Sequence, residues 1–129
     1  DYAIVIVAAT YVACRLREIP TMLSRGSTEL LSSPPAGKLL AEAMKTKNLI
    51  TVALFHGLWL LTPVPELLSG RSVSCHTVVL DDIHNAGAVF VPDPSHVVID
   101  NDLVTARSAA DLEAYTEALI ATYRLNYKD

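Results

Sequence analysis

Two short runs of consecutive apolar residues stand out along the chain, one at 3–8 and the other at 49–54. Both runs are continuous rather than alternating, and most residues of the first are β-branched. Continuous runs of this kind are typical of strands in a parallel sheet that is covered on both faces. The pattern therefore predicts two buried parallel strands.

The chain between these strands predicts a loop followed by a helix. Ser, Pro and Gly are frequent from about Ser24 to Gly37, and helical spacing follows from about Pro35 to Lys47. One face of that helix is apolar, as in a helix that packs on a sheet. The residues of this face are Leu39, Leu40, Ala43 and Met44. Strand, helix and strand together form one crossover unit.

Shorter elements are predicted in the second half of the chain. A helix that begins at His56 should end near Pro63 and Pro65, because proline lacks the amide donor. The pattern beyond it predicts a strand, a helix, a strand, a hairpin and a last helix capped by Ser108. These elements lie at about 72–75, 78–85, 88–91 and 97–105, and the last helix is expected to bury Leu112, Tyr115, Leu119 and Tyr123.

The composition is that of one globular domain over residues 1–129. Of the 129 residues, 51% are hydrophobic and 19% are charged, which suffices for a single core. The net charge of −4 argues against a nucleic-acid partner, and no apolar run approaches the roughly 20 residues of a membrane helix. Two distant cysteines and no recognisable secretory leader predict a cytoplasmic protein without a metal or cofactor.

One stretch indicates possible chemistry, because Phe55-His56-Gly57 directly follows the second predicted strand. A buried strand that turns sharply into a helix presents the residue at the turn above the sheet, which is how a nucleophile elbow holds its reactive side chain. Here that residue is Phe55, whose phenyl ring cannot attack a substrate. The stretch is therefore informative about the fold and ambiguous about the chemistry.

The order and spacing of four stretches give the chain a resemblance to the PfpI/ThiJ family, within the DJ-one/PfpI superfamily of class I glutamine amidotransferase-like proteins. The stretches lie at 54–57, 68–75, 82–88 and 97–107. The resemblance implies an α/β fold, specifically a flavodoxin-like three-layer sandwich with a mainly parallel sheet. Active members of this family have an activated Cys at the elbow, a neighbouring His, and a glycine turn whose amides bind an oxyanion. The resemblance implies that the corresponding positions of this chain form its candidate site.

Three departures from the family pattern bear on that chemistry. Phe55 stands at the position of the reactive Cys. Ala9 and Thr10 stand where the family has two glycines, and their Cβ atoms oppose the close approach of an oxyanion turn. The sequence also begins at what the resemblance implies is a middle strand. We therefore expect an amino-terminally incomplete domain that lacks the first β-α-β unit, which takes about 30 residues.

Each candidate site residue has more than one interpretation. His56 is either a general base or a group that orients the elbow, and Phe55 is either a core ring or pocket plug, or a wall of an apolar ligand site. Cys14 is either a substitute thiol or a small buried hydrophobic residue. The candidates for substrate binding, with core packing as an alternative for Trp59, are Ala9, Thr10, Tyr11, Gly57 and Trp59.

Other residues that carry reactive or titratable groups are interpreted as structural. Cys75 and His76 are neighbours on a predicted strand, so their side chains would face opposite sides and could not act as a pair. His84 and His96 are expected to face solvent, and Asp81-Asp82 is expected to be a solvated helix start.

The sequence favours a PfpI-like domain without the catalytic Cys, a pseudoenzyme that acts as a non-catalytic binding or assembly subunit. The alternative is an enzyme of the superfamily that uses non-cysteine groups or is completed by a partner. That enzyme would be a hydratase or lyase, a glyoxalase or deglycase, or an amidase-type hydrolase acting on a small molecule. We further expect a homo-oligomer, or a partner chain that supplies the missing first strand-helix unit, and a small apolar or carbonyl ligand.

Overall fold

The computed structural model describes residues 2–9, 16 and 35–127. The strands in these ranges are β1 (Ile4–Ala9), β2 (Ile50–Phe55), β3 (Ser72–Val73), β4 (Val89–Phe90), β5 (Val97–Asp100) and β6 (Leu103–Ala106). The α-helices are α1 (Pro35–Lys45), α2 (Leu80–Asn85) and α3 (Leu112–Asn126). No helix in the described ranges combines the length and apolarity needed to cross a membrane.

Four of the strands form the central sheet, in the order β1-β2-β6-β5. β1, β2 and β6 run parallel, and β5 returns antiparallel to β6 as the predicted hairpin. β3 and β4 pair in parallel as a separate small sheet. The α/β class and the mainly parallel sheet expected from the sequence are therefore confirmed. Among the described strands, β1 and β5 lie at the edges of the central sheet.

Both faces of the central sheet are covered by hydrophobic side chains. One core cluster joins the sheet to α1 and α2 through residues such as Leu40 and Ile83, and the other lies under α3 around Tyr115. Val52 and Ala53 are neighbours on β2 but belong to different clusters, because successive side chains of a strand point to opposite faces. Burial on both faces explains why the strands appear in the sequence as continuous apolar runs.

Side chains rather than a backbone ladder tie the small sheet to the hairpin. Arg71 donates from Nε to Asp100 Oδ2 at 3.0 Å, and from Nη2 to the Asp100 carbonyl and to Asp102 Oδ1, both at 2.7 Å. The Ser74 backbone N–H donates to Thr105 Oγ1 at 2.8 Å. These bonds hold both ends of β3 against β5 and β6.

A buried carboxylate, Asp111, fixes the start of α3. The backbone N–H and the hydroxyl of Ser108 both donate to Asp111 Oδ2 at 2.8 Å, which agrees with the predicted cap. His96 Nδ1 lies 3.1 Å from Asp111 Oδ1, so His96 is paired, although its side chain still faces solvent in part, as expected, with 38% exposed. Burial alone would raise the pKa of Asp111, but the hydrogen bonds from Ser108 and His96 outweigh it and hold the pKa below its usual range.

The last helix buries a narrower face than the sequence pattern indicates. Tyr115 is 5% exposed, as predicted, and Leu119 packs partly buried against the same cluster. Leu112 and Tyr123 are 57% and 41% exposed, so the prediction that they are buried is wrong. The face centred on Tyr115 meets the sheet, and these two side chains lie at its margins.

The segment after β2 is a pair of 3₁₀ turns rather than the longer helix predicted from His56. The first turn covers Gly57–Leu60 and the second covers Pro65–Leu67. Pro63 and Pro65 prevent a continuous helix because they supply no amide donor, and short 3₁₀ pieces are the usual outcome.

Candidate ligand site at the turn after the second strand

The sharp turn expected after β2 is present at Phe55. Its φ is 53°, in the left-handed region that is costly for a residue with a bulky side chain. The phenyl ring is half-buried, and the two core clusters of the described residues do not include it. Within the described residues, Phe55 therefore lies beside the core rather than in it. Backbone strain of this kind persists where the surrounding structure imposes it, and it is frequent at functional sites.

Gly57 allows the turn to lie directly against β1. A Cβ atom at this position would lie 2.9 Å from the Val7 carbonyl oxygen and 3.2 Å from Val7 Cγ1, which is too close for any larger residue unless β1 moves. Phe55 is also the register partner of Ala9, so the carboxyl ends of β1 and β2 meet beside the turn. Ligands of open α/β sheets bind in the crevice at this end of the strands.

Three aromatic rings are in contact at the turn. The His56 ring centroid lies 5.2 Å from that of Trp59, at an interplanar angle of 39°, and 4.9 Å from that of His76, at 26°. Trp59 donates from Nε1 to Asp82 Oδ2 at 2.7 Å, which ties the indole to α2. We call His56, Trp59 and His76 the three-ring cluster. Asp81 and Asp82 do lie in the first turn of α2, as expected, and Asp81 is exposed. Asp82 is half-buried and in addition belongs to the site.

His76, like Asp82, is a site residue that the sequence did not identify. The strand predicted over 72–75 is shorter in the structure, where β3 ends at Val73. His76 lies beyond it and begins a 3₁₀ turn, where its Nδ1 accepts a hydrogen bond from the Val78 N–H at 3.2 Å. Its own N–H reaches the Phe55 carbonyl at 3.5 Å. The available signal was its place just before a helix, since a residue there caps free amide groups.

Burial, and then the charge of the neighbouring His76, lower the pKa of His56. The ring is therefore neutral at neutral pH. Its Nδ1 is enclosed and has no hydrogen-bond partner among the described groups. Such an atom reduces stability by the cost of removing it from water. The turn therefore combines backbone strain with an unsatisfied polar atom.

Cys75 does not take over the role of a reactive thiol. It is 1% exposed, and burial raises its pKa to about 11, so it stays a protonated thiol at neutral pH. Thr10, Tyr11 and Cys14 lie outside the described residues, as does the side chain of Ala9, and their roles stay predictions. Within the described ranges, no group of three His, Cys, Asp or Glu side chains is arranged to hold a metal ion.

Comparison with known structures supports the fold. The chain is similar to a two-domain protein from Anabaena variabilis with DJ-1/ThiJ/PfpI-like and ferritin-like domains, with a TM-score of 0.73 and 24% identity. It is also similar to DJ-1 from Schizosaccharomyces pombe, with a TM-score of 0.66 and 17% identity, and to DJ-1beta from Drosophila melanogaster, with 0.65 and 20%. Each match covers 98% of this chain but 30%, 61% and 57% of the other chains, respectively. The chain thus spans less than two thirds of their lengths.

Comparison of the sequence with known families shows the family of the chain. No curated protein sequence is significantly similar to the chain. The DJ-1/PfpI family model, however, matches residues 24–122, which is most of the chain. The structural neighbours have the same fold, and the chain belongs to the DJ-1/PfpI family.

Proposed function

We propose that this DJ-1/PfpI domain is a pseudoenzyme, a non-catalytic subunit that binds a small molecule or supports assembly. The observation that carries the proposal is Phe55 at the turn after β2, with a φ of 53°. The backbone there has the sharp geometry of an elbow, but the side chain has no atom that can form a covalent intermediate. Binding would then be non-covalent, next to the three-ring cluster.

The state of Cys75 supports the same proposal. A useful nucleophilic thiol is exposed and has a lowered pKa, whereas Cys75 is buried and its pKa is raised to about 11. A buried free thiol is also consistent with a reducing compartment, and we propose the cytoplasm.

One observation favours a second candidate, an enzyme that uses no cysteine. A general base must be unprotonated, and the lowered pKa of His56 keeps that ring neutral at neutral pH. A hydratase or lyase, a glyoxalase or deglycase, or an amidase-type hydrolase could use such a base. It could do so alone or with groups from a partner chain.

Turnover assays separate the two candidates. Purified protein at high concentration is mixed with methylglyoxal or with an isonitrile, and consumption is compared with a protein-free blank. His56→Ala tests the site, and His84→Ala, an exposed histidine on α2, is the matched control. We expect no consumption above the blank for any of the three proteins. Turnover that His56→Ala abolishes and His84→Ala preserves would contradict the pseudoenzyme proposal.

We also propose that the edge of β1 supports assembly into a homo-oligomer. Among the described strands, β1 pairs only with β2, and Ile6 is 53% exposed. A groove of 290 Å³ follows this edge and is lined by apolar side chains of β1 and α1, including Val5 and Leu39. An open apolar strand edge is a template for pairing with another chain.

Sedimentation measurements of molecular mass test the assembly. The unaltered chain is expected to form an oligomer, and Ile6→Lys is expected to shift it to a smaller species. Val78→Lys places the same charge at a position that is 60% exposed and away from β1, and it should leave the mass unchanged. A monomeric unaltered chain would contradict the homo-oligomer and favour a separate partner that supplies the first strand-helix unit.

A further inference from the structure

The open edge of β1 presents backbone groups of every second residue. The Ile50 N–H donates to the Ala3 carbonyl at 2.9 Å, and β1 continues from there in parallel register with β2. Because the backbone groups of successive residues point to opposite sides of a strand, every second residue from Ala3 onwards bonds to β2. The residues between them direct both N–H and C=O to the open edge. These residues are Ile4, Ile6 and Ala8.

A groove lies beside this edge on each face of the sheet. On the α1 face is the groove of 290 Å³ described above, which Val5 helps to line. On the α3 face a second groove of 320 Å³ lies between Ile4 and apolar side chains of α3 such as Leu119 and Ile120. Ile6 points to this second face, because side chains alternate along a strand, and it is 53% exposed. A strand that is added to the edge therefore needs apolar side chains on both of its faces.

Among the described strands, β1 itself meets this requirement and is open to pairing. Its side chains are apolar on both faces, and residues 2–9 include no charged residue and no proline, which are features that keep edge strands from pairing. The other described edge strand, β5, ends at Asp100, whose carboxylate is held by Arg71 at 3.0 Å. An uncharged strand that is apolar on both faces matches the edge of β1 in pattern and in charge, and a second copy of the chain supplies one.

We infer that two copies of the chain pair antiparallel through β1, about a two-fold axis at Ile6. A two-fold axis brings the same edge of both copies together and makes the paired strands antiparallel. In this register Ile6 exchanges both backbone hydrogen bonds with Ile6 of the second copy, and Ile4 does so with Ala8 of the second copy. The inference rests on the proposed assembly through β1, and it adds the partner strand, its direction and its register.

The side chains fit this register on both faces. Residues that lie directly opposite each other in antiparallel strands point to the same face of the sheet. Ile6 therefore meets its own copy on the α3 face, and Val5 meets Val7 of the second copy on the α1 face. Each groove receives apolar side chains. The pairing also occupies the open edge completely, so the expected assembly is a closed dimer rather than a filament.

A proline at position 6 tests whether the backbone of β1 makes the contact. Ile6→Pro removes the outward N–H and no bond to β2, and proline is tolerated in an edge strand where that group faces away from the sheet. Ile6→Val keeps the N–H and is the matched control. In sedimentation equilibrium the dissociation constant of the dimer is expected to rise about tenfold or more in Ile6→Pro, because each copy loses a backbone donor. In Ile6→Val it should change by less than about threefold.

Cysteine cross-linking tests the register without a proline. The Cα atoms of a hydrogen-bonded antiparallel pair lie about 5.5 Å apart, within the range of a disulfide. Under mild oxidation with copper phenanthroline, Ile6→Cys is expected to form a covalent dimer on a non-reducing gel. Ala8→Cys is exposed on the same face but would lie more than about 10 Å from its own copy. It should stay unlinked, as should the unaltered chain. No covalent dimer of Ile6→Cys, or equal cross-linking of the two variants, would overturn the inference.

Failure of the inference differs in its result from failure of the proposed assembly. If the unaltered chain is an oligomer whose dissociation constant does not change in Ile6→Pro, the backbone pairing is wrong and the proposed assembly stands on other contacts. If the unaltered chain is monomeric at every concentration, the inference and the proposed homo-oligomer are both wrong.

Discussion

The hairpin of β5 and β6 differs from the turn after β2 in whether its polar groups have hydrogen-bond partners. At the hairpin, Arg71 makes three hydrogen bonds to Asp100 and Asp102, and Asp111 is bonded by Ser108 and His96. At the turn, the enclosed Nδ1 of His56 has no hydrogen-bond partner among the described residues. Left-handed φ angles occur in both regions, at Phe55 of the turn and at His96 and Asn101 of the hairpin, so the backbone does not distinguish them.

The difference separates a region whose polar groups stabilise the fold from one whose polar groups do not. Satisfied polar networks stabilise a fold, whereas an enclosed polar atom without a partner reduces stability and is frequent where a protein binds a ligand or carries out chemistry. The turn retains such features although it lacks a nucleophile. This supports a binding role for the turn and a structural role for the hairpin.

The largest effect is expected when the hairpin network is broken. Arg71→Leu removes three hydrogen bonds and leaves Asp100, with its side chain 17% exposed, without its cation. The free energy of unfolding should fall by about 2 to 3 kcal/mol, measured by urea denaturation. Arg124→Leu, on the exposed side of α3, should change it by less than about 0.5 kcal/mol. Equal effects would mean that the network does not stabilise the hairpin.

Strain at the turn is tested by two replacements of Phe55. A β-branched residue is strongly disfavoured at a φ of 53°, whereas Asn tolerates it. Phe55→Val should lower the free energy of unfolding by about 2 kcal/mol and Phe55→Asn by less than about 1 kcal/mol, measured by thermal or urea unfolding. If the more apolar Val is the better tolerated residue, burial rather than backbone strain dominates this position.

Acid dependence tests the buried carboxylate at the start of α3. Asp111 has a folded-state pKa below its usual value of 3.8, so its contribution is present above that value and is lost as the pH falls through the folded pKa. Asp111→Asn should lower the free energy of unfolding by about 1 kcal/mol at pH 7. Below about pH 4, the free energy of unfolding of this variant should decrease less steeply with falling pH than that of the unaltered chain. Glu113→Gln, which is exposed on the same helix, should keep the acid dependence of the unaltered chain. If the free energy of unfolding depends on pH in the same way in all three proteins, Asp111 does not stabilise the start of α3 through its charge.

The smallest expected effect is a gain in stability at the site. His56→Phe keeps a ring against Trp59 and His76 and removes the enclosed Nδ1. The free energy of unfolding, measured by urea denaturation, should rise by about 1 kcal/mol. His84→Phe should bring no gain. A lower free energy of unfolding in His56→Phe would show that the enclosed Nδ1 does not reduce the stability of the turn.

Much of the fold could be predicted from local patterns. The apolar runs predicted β1 and β2 within one residue of their observed ends, because burial on both faces makes a strand continuously apolar. The cap at Ser108 was also visible, since its partner Asp111 lies three residues away. The exposure of Leu112 and Tyr123 was not predicted, because a helix face does not reveal how far the sheet beneath it extends.

Only part of the candidate site could be predicted from the sequence. Phe55, His56 and Gly57 are contiguous, so their turn could be inferred from the strand before them. His76 and Asp82 join them only through the path of the chain after β3, which brings residues 20 or more positions away against the turn. No spacing rule links them, because the contacts depend on how β3 and α2 pack beside the central sheet.

The sequence by itself determined the α/β class, the parallel strands and the presence of a phenyl ring at the turn, since these depend on local composition and periodicity. Tertiary structure decided the rest of the site. Packing encloses one nitrogen of His56, caps the Val78 N–H with His76 and anchors Trp59 on Asp82. Protonation and hydrogen bonding depend on which groups are neighbours in space, and only the folded chain sets those neighbours.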